Sequence, residues 1–157
     1  MFNNKLKKEE SNMNYSELVK LALEAREMAY APYSNWKVGA ALLTSAGDVY
    51  KGCNVENSGF TATNCAERTA IFKAVSEGVY DFKAIAIVGG DANEGVKGYC
   101  PPCGVCRQVM SEFCHPDDFI IIYGKSETEY KIFNLREIMP EAVYIVSDEG
   151  EGFKAKD

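Results

Sequence analysis

The chain has 157 residues, of which 46% are hydrophobic and 25% are charged, which is typical of one globular domain with a single core. Its net charge of −6 argues against a protein that grips a polynucleotide through a basic face. We find no apolar run long enough to span a bilayer and no pattern of a secretory signal. We therefore expect a cytoplasmic protein that acts on a small molecule, without nucleic-acid or membrane partners.

Segment 1–12 is polar and charged, and we expect it to be a flexible N-terminal extension. Residues 13–157 are then expected to form a single domain. Apolar residues recur at helical spacing from Asn14 until Pro32 marks the stop. Strands are expected over 38–43 and 49–55, and the turn residues between them predict an antiparallel hairpin.

The second half of the chain is expected to alternate helices with strands. A helix is predicted over 64–77, with Gly78 just past its end as a C-terminal cap. A short apolar run at 84–88 is typical of a buried central strand. A second helix over 103–113 and a hairpin formed by 119–123 and 130–133 follow. Strands in this order predict an α/β protein with one mixed sheet covered by helices.

Six cysteines carry the chemical signal of the sequence: Cys53, Cys65, Cys100, Cys103, Cys106 and Cys114. Three of them fall within seven positions, which favours metal binding over disulfides where no secretory signal is seen. The segments 65–67 (Cys-Ala-Glu) and 102–106 (Pro-Cys-Gly-Val-Cys) lie at predicted helix N-termini, where free amides and the helix dipole stabilise thiolates. Three thiolates leave one tetrahedral position of a zinc ion open, as in catalytic zinc sites. Glu67 lies two residues past Cys65 and is placed to move the protons of a zinc-activated water.

In these motifs the chain resembles the homotetrameric class of cytidine deaminases, over about residues 14–140. The matching stretches are 29–34 (Ala-Tyr-Ala-Pro-Tyr-Ser), 38–42 (Val-Gly-Ala-Ala-Leu), 52–57 (Gly-Cys-Asn-Val-Glu-Asn), 64–70 (Asn-Cys-Ala-Glu-Arg-Thr-Ala) and 102–108 (Pro-Cys-Gly-Val-Cys-Arg-Gln). The resemblance implies a three-layer α-β-α sandwich with one mixed sheet of about five strands. It also implies a homotetramer with shared active sites.

The resemblance further implies hydrolysis of cytidine and deoxycytidine to uridine and deoxyuridine, with release of ammonia, in pyrimidine salvage. By this resemblance, Cys65, Cys103 and Cys106 bind one zinc ion per subunit, and Glu67 is the proton shuttle. Asn54 and Glu56 are implied to bind the sugar 3′-hydroxyl, and Arg68 to donate hydrogen bonds to the zinc thiolates. Further substrate contacts are implied for Trp36 and Ala66. An arginine is expected beside such a centre because three thiolates on one Zn²⁺ carry a net negative charge.

Several alternatives stay open at this point. Trp36 replaces the phenylalanine usual in the family, and the segment after Pro140 departs from the familiar pattern. Both changes allow a deaminase of a cytosine nucleoside antibiotic such as blasticidin S, or of a modified nucleoside. Cys100, Cys103, Cys106 and Cys114 are also spaced like an iron–sulfur run in a non-catalytic module. Asn54 is alternatively a turn residue, and Trp36 is alternatively an ordinary core aromatic.

Overall fold

The computed structural model describes residues 13–140 and residue 142. The predicted extension 1–12 lies outside the described residues, as does most of the altered segment after Pro140. In chain order the elements are α1 (Tyr15–Glu27), β1 (Trp36–Thr44), β2 (Val49–Cys53), a 3₁₀ turn (Phe60–Ala62), α2 (Ala66–Ser76), β3 (Phe82–Asp91), α3 (Gly104–Phe113), β4 (Ile120–Gly124), β5 (Tyr130–Asn134) and α4 (Leu135–Ile138). None of the helices in this described part has the length and apolar character to cross a bilayer.

The five strands form one sheet in the order β2-β1-β3-β4-β5. Strand β1 pairs antiparallel with both β2 and β3, β3 pairs parallel with β4, and β4 pairs antiparallel with β5. The sheet is therefore mixed, and the two predicted hairpins lie at its two edges, as expected. The parallel pair β3–β4 requires a crossover, and α3 supplies it.

Helices cover both faces of the sheet, because successive residues of a strand point to opposite sides. Leu18, Val19 and Ala22 of α1 pack on one face, against a cluster that includes Ala41 and Leu43 of β1. Helices α2 and α3 pack on the other face, in a cluster that includes Ala40, Leu42, Ala70, Ile71, Cys106 and Met110. The result is the predicted three-layer α-β-α sandwich with its core divided by the sheet.

Two glycines let the helices approach the sheet closely. A Cβ at Gly39 of β1 would clash with the main chain of α1 at Ala22 and Arg26. A Cβ at Gly52 of β2 would likewise clash with the main chain of α2 at Ala66 and Ala70. Since real Cβ atoms do not approach backbone so closely, each glycine sets the depth at which its helix rests. Gly52 thereby fixes the first turn of α2.

Several element boundaries differ from expectation by two residues or more, and three of the differences have an identifiable cause. Helix α1 ends at Glu27 rather than near Pro32, because the Tyr30 amide donates to the Asn54 carbonyl and the chain there pairs with the segment after β2. Strand β3 extends beyond the apolar run at both ends, since main-chain pairing with β1 does not depend on hydrophobic side chains. Helix α4 was not predicted; it begins with a capping box between Asn134 and Glu137.

Candidate active site

Two helix N-termini on the same face of the sheet bring the predicted zinc motifs together. Cys65 is the N-cap of α2 and Cys103 is the N-cap of α3. Cys106 lies in the first turn of α3 and is fully buried. The amides of a helix's first turn have no partners inside the helix, so both helices direct donors and positive dipole ends at this point. The expected placement of both motifs is confirmed.

The three thiols are grouped as a zinc site requires. The Sγ atoms of Cys65, Cys103 and Cys106 all lie within 4.8 Å of one another, and those of Cys65 and Cys103 are 3.8 Å apart. Tetrahedral zinc with Zn–S bonds of about 2.3 Å holds its sulfurs about 3.8 Å apart. The donor set therefore fits zinc, and three sulfurs leave one ligand position for a non-protein group.

The iron–sulfur alternative does not fit this arrangement. Within the described residues, one group of three or more side chains is close enough together to hold a metal ion, and it consists of Cys65, Cys103 and Cys106. Cys114 lies at the opposite end of α3, buried in the core, where burial holds the pKa of its thiol well above the ordinary value. Cys100 also stands outside the cluster. The site contains Cys65, which caps a second helix, and it contains neither Cys100 nor Cys114. This composition contradicts an iron–sulfur site formed by Cys100, Cys103, Cys106 and Cys114.

Arg68 supplies a positive charge beside the sulfurs. Its Nη2 atom donates to Cys65 Sγ at 3.3 Å, and its Nε atom is buried without a hydrogen-bond partner in the described structure. Hydrogen bonds from Cys106, Arg68 and Cys103 outweigh partial burial and lower the pKa of Cys65 to about 5. The environment therefore favours the thiolate form that binds metal.

Glu67 is the buried carboxyl group of the site. It is 3% exposed in the first turn of α2, and a charged residue is rarely buried so completely without a reason. Burial, together with the charge of Cys65, raises the pKa of Glu67 to about 7. A carboxyl group with such a pKa can accept and release a proton near neutral pH.

Asn54 and Glu56 follow β2 and are both nearly buried. The Asn54 side chain accepts from the Val38 amide and donates to the Trp36 carbonyl, both at 2.8 Å. Glu56 Oε2 accepts from the amides of Tyr33 at 2.9 Å and Ser34 at 3.2 Å, and Oε1 accepts from the Ser34 hydroxyl. The Asn54 side chain thus binds main-chain groups, in line with its alternative interpretation as a turn residue. These two bonds leave one proton of its amide nitrogen and one lone pair of its oxygen available to a ligand.

Trp36 and Ala66 occupy different environments. Trp36 begins β1 and is 46% exposed, so it is not an ordinary core aromatic. A Cβ built on Gly89 would lie 2.6 Å from Cys100 Sγ and 3.2 Å from Trp36 Nε1, which places the indole beside the loop that leads to Cys103. The side chain of Ala66 is fully buried, so that a substrate contact there would use its main chain.

Comparison with known proteins agrees with this geometry. Residues 12–122 match the family model of the cytidine and deoxycytidylate deaminase zinc-binding region. The chain belongs to this family. The deaminase is 47% identical over 130 residues to a cytidine deaminase of Halalkalibacterium halodurans, covering 83% of this chain and 94% of that protein. It is 53% identical over 103 residues to a cytidine deaminase of Sporosarcina psychrophila, covering 66% and 72%.

Solved structures and one further relative extend the comparison. A crystal structure of cytidine deaminase from Burkholderia pseudomallei superposes with a TM-score of 0.75 at 43% identity, covering 83% of this chain and 100% of that one. A blasticidin-S deaminase of Bacillus cereus is 36% identical over 109 residues, covering 68% and 76%. The deaminase is thus a zinc-dependent hydrolase of the cytidine deaminase family with one zinc as its cofactor.

Sequence reasoning missed two residues that hold the site. Ser34 contacts Glu56 through both its amide and its hydroxyl. Arg107 donates from Nε to the Pro102 carbonyl at 2.8 Å and from Nη1 to the Ile138 carbonyl at 2.6 Å, which ties the loop before Cys103 to α4. Both lie inside stretches that match the family, but residue type alone does not reveal which carbonyl or carboxylate such a donor will reach.

Proposed function

We propose that this deaminase hydrolyses cytidine and deoxycytidine to uridine and deoxyuridine with release of ammonia. The observation that carries the proposal is a buried carboxyl group, Glu67, in the first turn of the helix that Cys65 caps, beside three thiols spaced for a single zinc ion. The relatives and the superposed structure named above are called cytidine deaminases, which supports the same substrate.

The roles of the residues follow from their chemistry. We assign the metal to Cys65, Cys103 and Cys106; when bound, zinc supplies the Lewis acidity that makes water a nucleophile at neutral pH. Glu67 takes one proton from the attacking water and delivers it to ring nitrogen N3. It then takes the second proton, from the hydroxyl added at C4, and passes it to the departing amine. The new bond joins oxygen to C4 and the broken bond joins C4 to the amino nitrogen, so water and cytidine balance uridine and ammonia. Arg68 offsets the negative charge of the thiolates.

Sugar recognition is assigned to Asn54 and Glu56, with Trp36 and the main chain of Ala66 toward the base. Hydrogen bonds hold the pKa of the Glu56 carboxyl below its usual range, and the largest contribution comes from the Ser34 hydroxyl. An ionised carboxylate only accepts hydrogen bonds, so it suits a sugar hydroxyl and repels a phosphate in that position. This charge supports a free nucleoside as the substrate rather than a polynucleotide.

The assembly and cellular role belong to the same proposal. We propose a homotetramer with shared active sites that serves pyrimidine salvage in the cytoplasm. The six cysteines are all described and all unpaired, which accords with a reducing compartment. Several large apolar side chains are exposed near Glu56, and such surface is typical of a protein interface.

A second candidate is deamination of a nucleoside antibiotic such as blasticidin S, or of a modified nucleoside. The similarity to the blasticidin-S deaminase of Bacillus cereus favours it, as does the bulk of Trp36. It ranks second because the two cytidine deaminases compared above are 47% and 53% identical, against 36% for that protein.

The test is a panel of cytidine, deoxycytidine and blasticidin S, assayed by loss of cytosine absorbance with zinc-loaded protein whose metal content is measured in the same sample. We expect the highest kcat/KM for cytidine or deoxycytidine. Lack of turnover of both nucleosides by zinc-loaded protein would overturn the main proposal, and a higher value for blasticidin S would establish the second candidate.

The matched control in that panel is Glu67→Gln, which keeps the size of the side chain and removes its ability to shuttle protons. We expect one zinc per chain to be retained and kcat to fall by at least about 100-fold, the usual contribution of a general acid–base group. Unchanged kcat in this variant would show that Glu67 is not the proton shuttle.

A further inference from the structure

The hydroxyl of Ser34 lies between the two parts of the proposed substrate site. It donates to Oε1 of Glu56, which we assign to the sugar, and it accepts from the amide of Trp36 at 3.0 Å. A serine hydroxyl has one proton. The ionised carboxylate can only accept and the amide N–H can only donate. The hydroxyl therefore has a single orientation in which it makes both hydrogen bonds.

Glu56 depends on this loop for its orientation. Its other oxygen accepts from the Tyr33 and Ser34 amides, so three donors from two adjacent residues hold the carboxylate. Hydrogen bonds to a charged group are stronger than those between neutral groups. With one bond on Oε1 and two on Oε2, one lone pair of Oε1 remains to accept a hydrogen bond from a ligand hydroxyl.

The main chain of Trp36 is held from its other side as well. Its carbonyl accepts from Nδ2 of Asn54, while Asn35 just before it adopts the left-handed conformation, with φ 59°. A non-glycine residue in that region needs support from its surroundings. The main chain of Trp36 is therefore held at its amide by Ser34 and at its carbonyl by Asn54. Through Ser34 it is also connected to Glu56, the other residue of the assigned sugar pair Asn54 and Glu56.

We propose that Ser34 is a positioning residue for sugar recognition, which sets the Glu56 carboxylate against the 3′-hydroxyl and couples it to the start of β1 at Trp36. This inference rests on the proposed function, since it needs a nucleoside in the site. Ser34 has no part in the proton transfers, and it acts through Glu56.

The coupling has a measurable consequence in the sugar. Ser34→Ala removes the hydroxyl and leaves Oε1 of Glu56 without that donor. We expect kcat/KM for deoxycytidine, which carries a 3′-hydroxyl, to fall by about tenfold, as for one hydrogen bond to a charged group. For 2′,3′-dideoxycytidine, which lacks that hydroxyl, we expect a change within about twofold, because Glu56 then has no sugar hydroxyl to accept from.

Two variants control for damage to the fold. Ser34→Thr keeps the hydroxyl and should restore the ratio of the two kcat/KM values. Ser45→Ala removes a similar exposed hydroxyl, which donates to the Asp81 carboxylate at 2.7 Å away from the assigned sugar pair, and should leave both values unchanged. If Ser34→Ala does not fold, Ser34→Cys, which keeps the size and weakens the hydrogen bond, takes its place with the same expected pattern.

An equal loss on both nucleosides, or no loss on either, would overturn the role of Ser34. Such a result leaves the proposed function intact as long as the unaltered protein deaminates deoxycytidine. Failure of the unaltered protein on cytidine and deoxycytidine would instead overturn the proposed function, so the two failures are distinguishable.

Discussion

Arg68 shows how one side chain adjusts the chemistry of a thiolate cluster. Three thiolates around Zn²⁺ carry one net negative charge, and a negative centre is a poor Lewis acid. The guanidinium, 3.3 Å from Cys65 Sγ, withdraws charge from that sulfur. Because Arg68 follows Cys65 by three positions on α2, helical geometry places the two on one face.

We therefore predict that Arg68→Gln lowers zinc affinity or kcat by about 10- to 100-fold, the usual effect of losing a group that orients a metal ligand. Zinc affinity would be measured by competition with a chromophoric chelator, and kcat with zinc-saturated protein. Lys20→Gln also removes one positive charge, from the exposed surface of α1, where Lys20 lies 3.7 Å from Glu17, and should change neither quantity. Equal behaviour of the two variants would contradict the role of Arg68.

At the scale of elements, the pattern of apolar residues predicted the helices and strands that core packing determines. It did not predict the features that individual hydrogen bonds determine. Every strand of the sheet and the helices α1, α2 and α3 were predicted, since their periodicity follows from the core they face. The end of α1 at Glu27 and the whole of α4 were not, because they depend on the Tyr30 amide and on the Asn134–Glu137 capping box.

Gly52 offers a test of how α2 is placed. In Gly52→Ala the new Cβ clashes with the main chain of Ala66 and Ala70, so the first turn of α2 must move away from the sheet. We expect the free energy of unfolding to fall by about 1–3 kcal/mol, as for overpacking, and zinc affinity to fall at least about tenfold, since Cys65 moves with that turn.

Gly39→Ala is the matched control, because its Cβ clashes with the main chain of α1 on the opposite face of the sheet. Chemical denaturation should show a comparable loss of stability, whereas zinc affinity should stay within about twofold of the original. If both variants lose zinc equally, the loss reflects general destabilisation rather than the position of α2.

At the scale of the whole molecule, the zinc motifs were predictable because each is a short run of consecutive residues, and helix geometry then fixes where its side chains point. The surroundings of Glu56 were not predictable in the same way. Their contacts join residues 33–36 to 54–56, and only the folded β1–β2 hairpin brings those segments together. The metal centre was therefore predictable from sequence alone, and the network around the sugar pair required the structure.

The exposed apolar surface near Glu56 leads to the last prediction, which concerns assembly. Tyr30 and Val55 form an isolated bridge, and Tyr33 packs edge-to-face on Phe60 with ring centroids 6.3 Å apart. All four side chains are exposed, Phe60 to 77%. Burial of an aromatic side chain stabilises an interface by roughly 1.5–3 kcal/mol. These residues flank the assigned sugar site, so that a partner subunit covering them would also border the substrate.

We accordingly predict that light scattering gives about four times the 17.3 kDa of one chain, and that Phe60→Glu lowers this mass by placing a charge in the interface. If the active sites are shared, specific activity of the variant should rise with protein concentration as subunits reassociate. Tyr80→Ser alters an exposed aromatic residue between α2 and β3 and should keep both the mass and the activity. A mass of one chain for the unaltered protein at all concentrations would contradict the tetramer. A reduced mass with full activity in Phe60→Glu would show instead that each subunit holds a complete site.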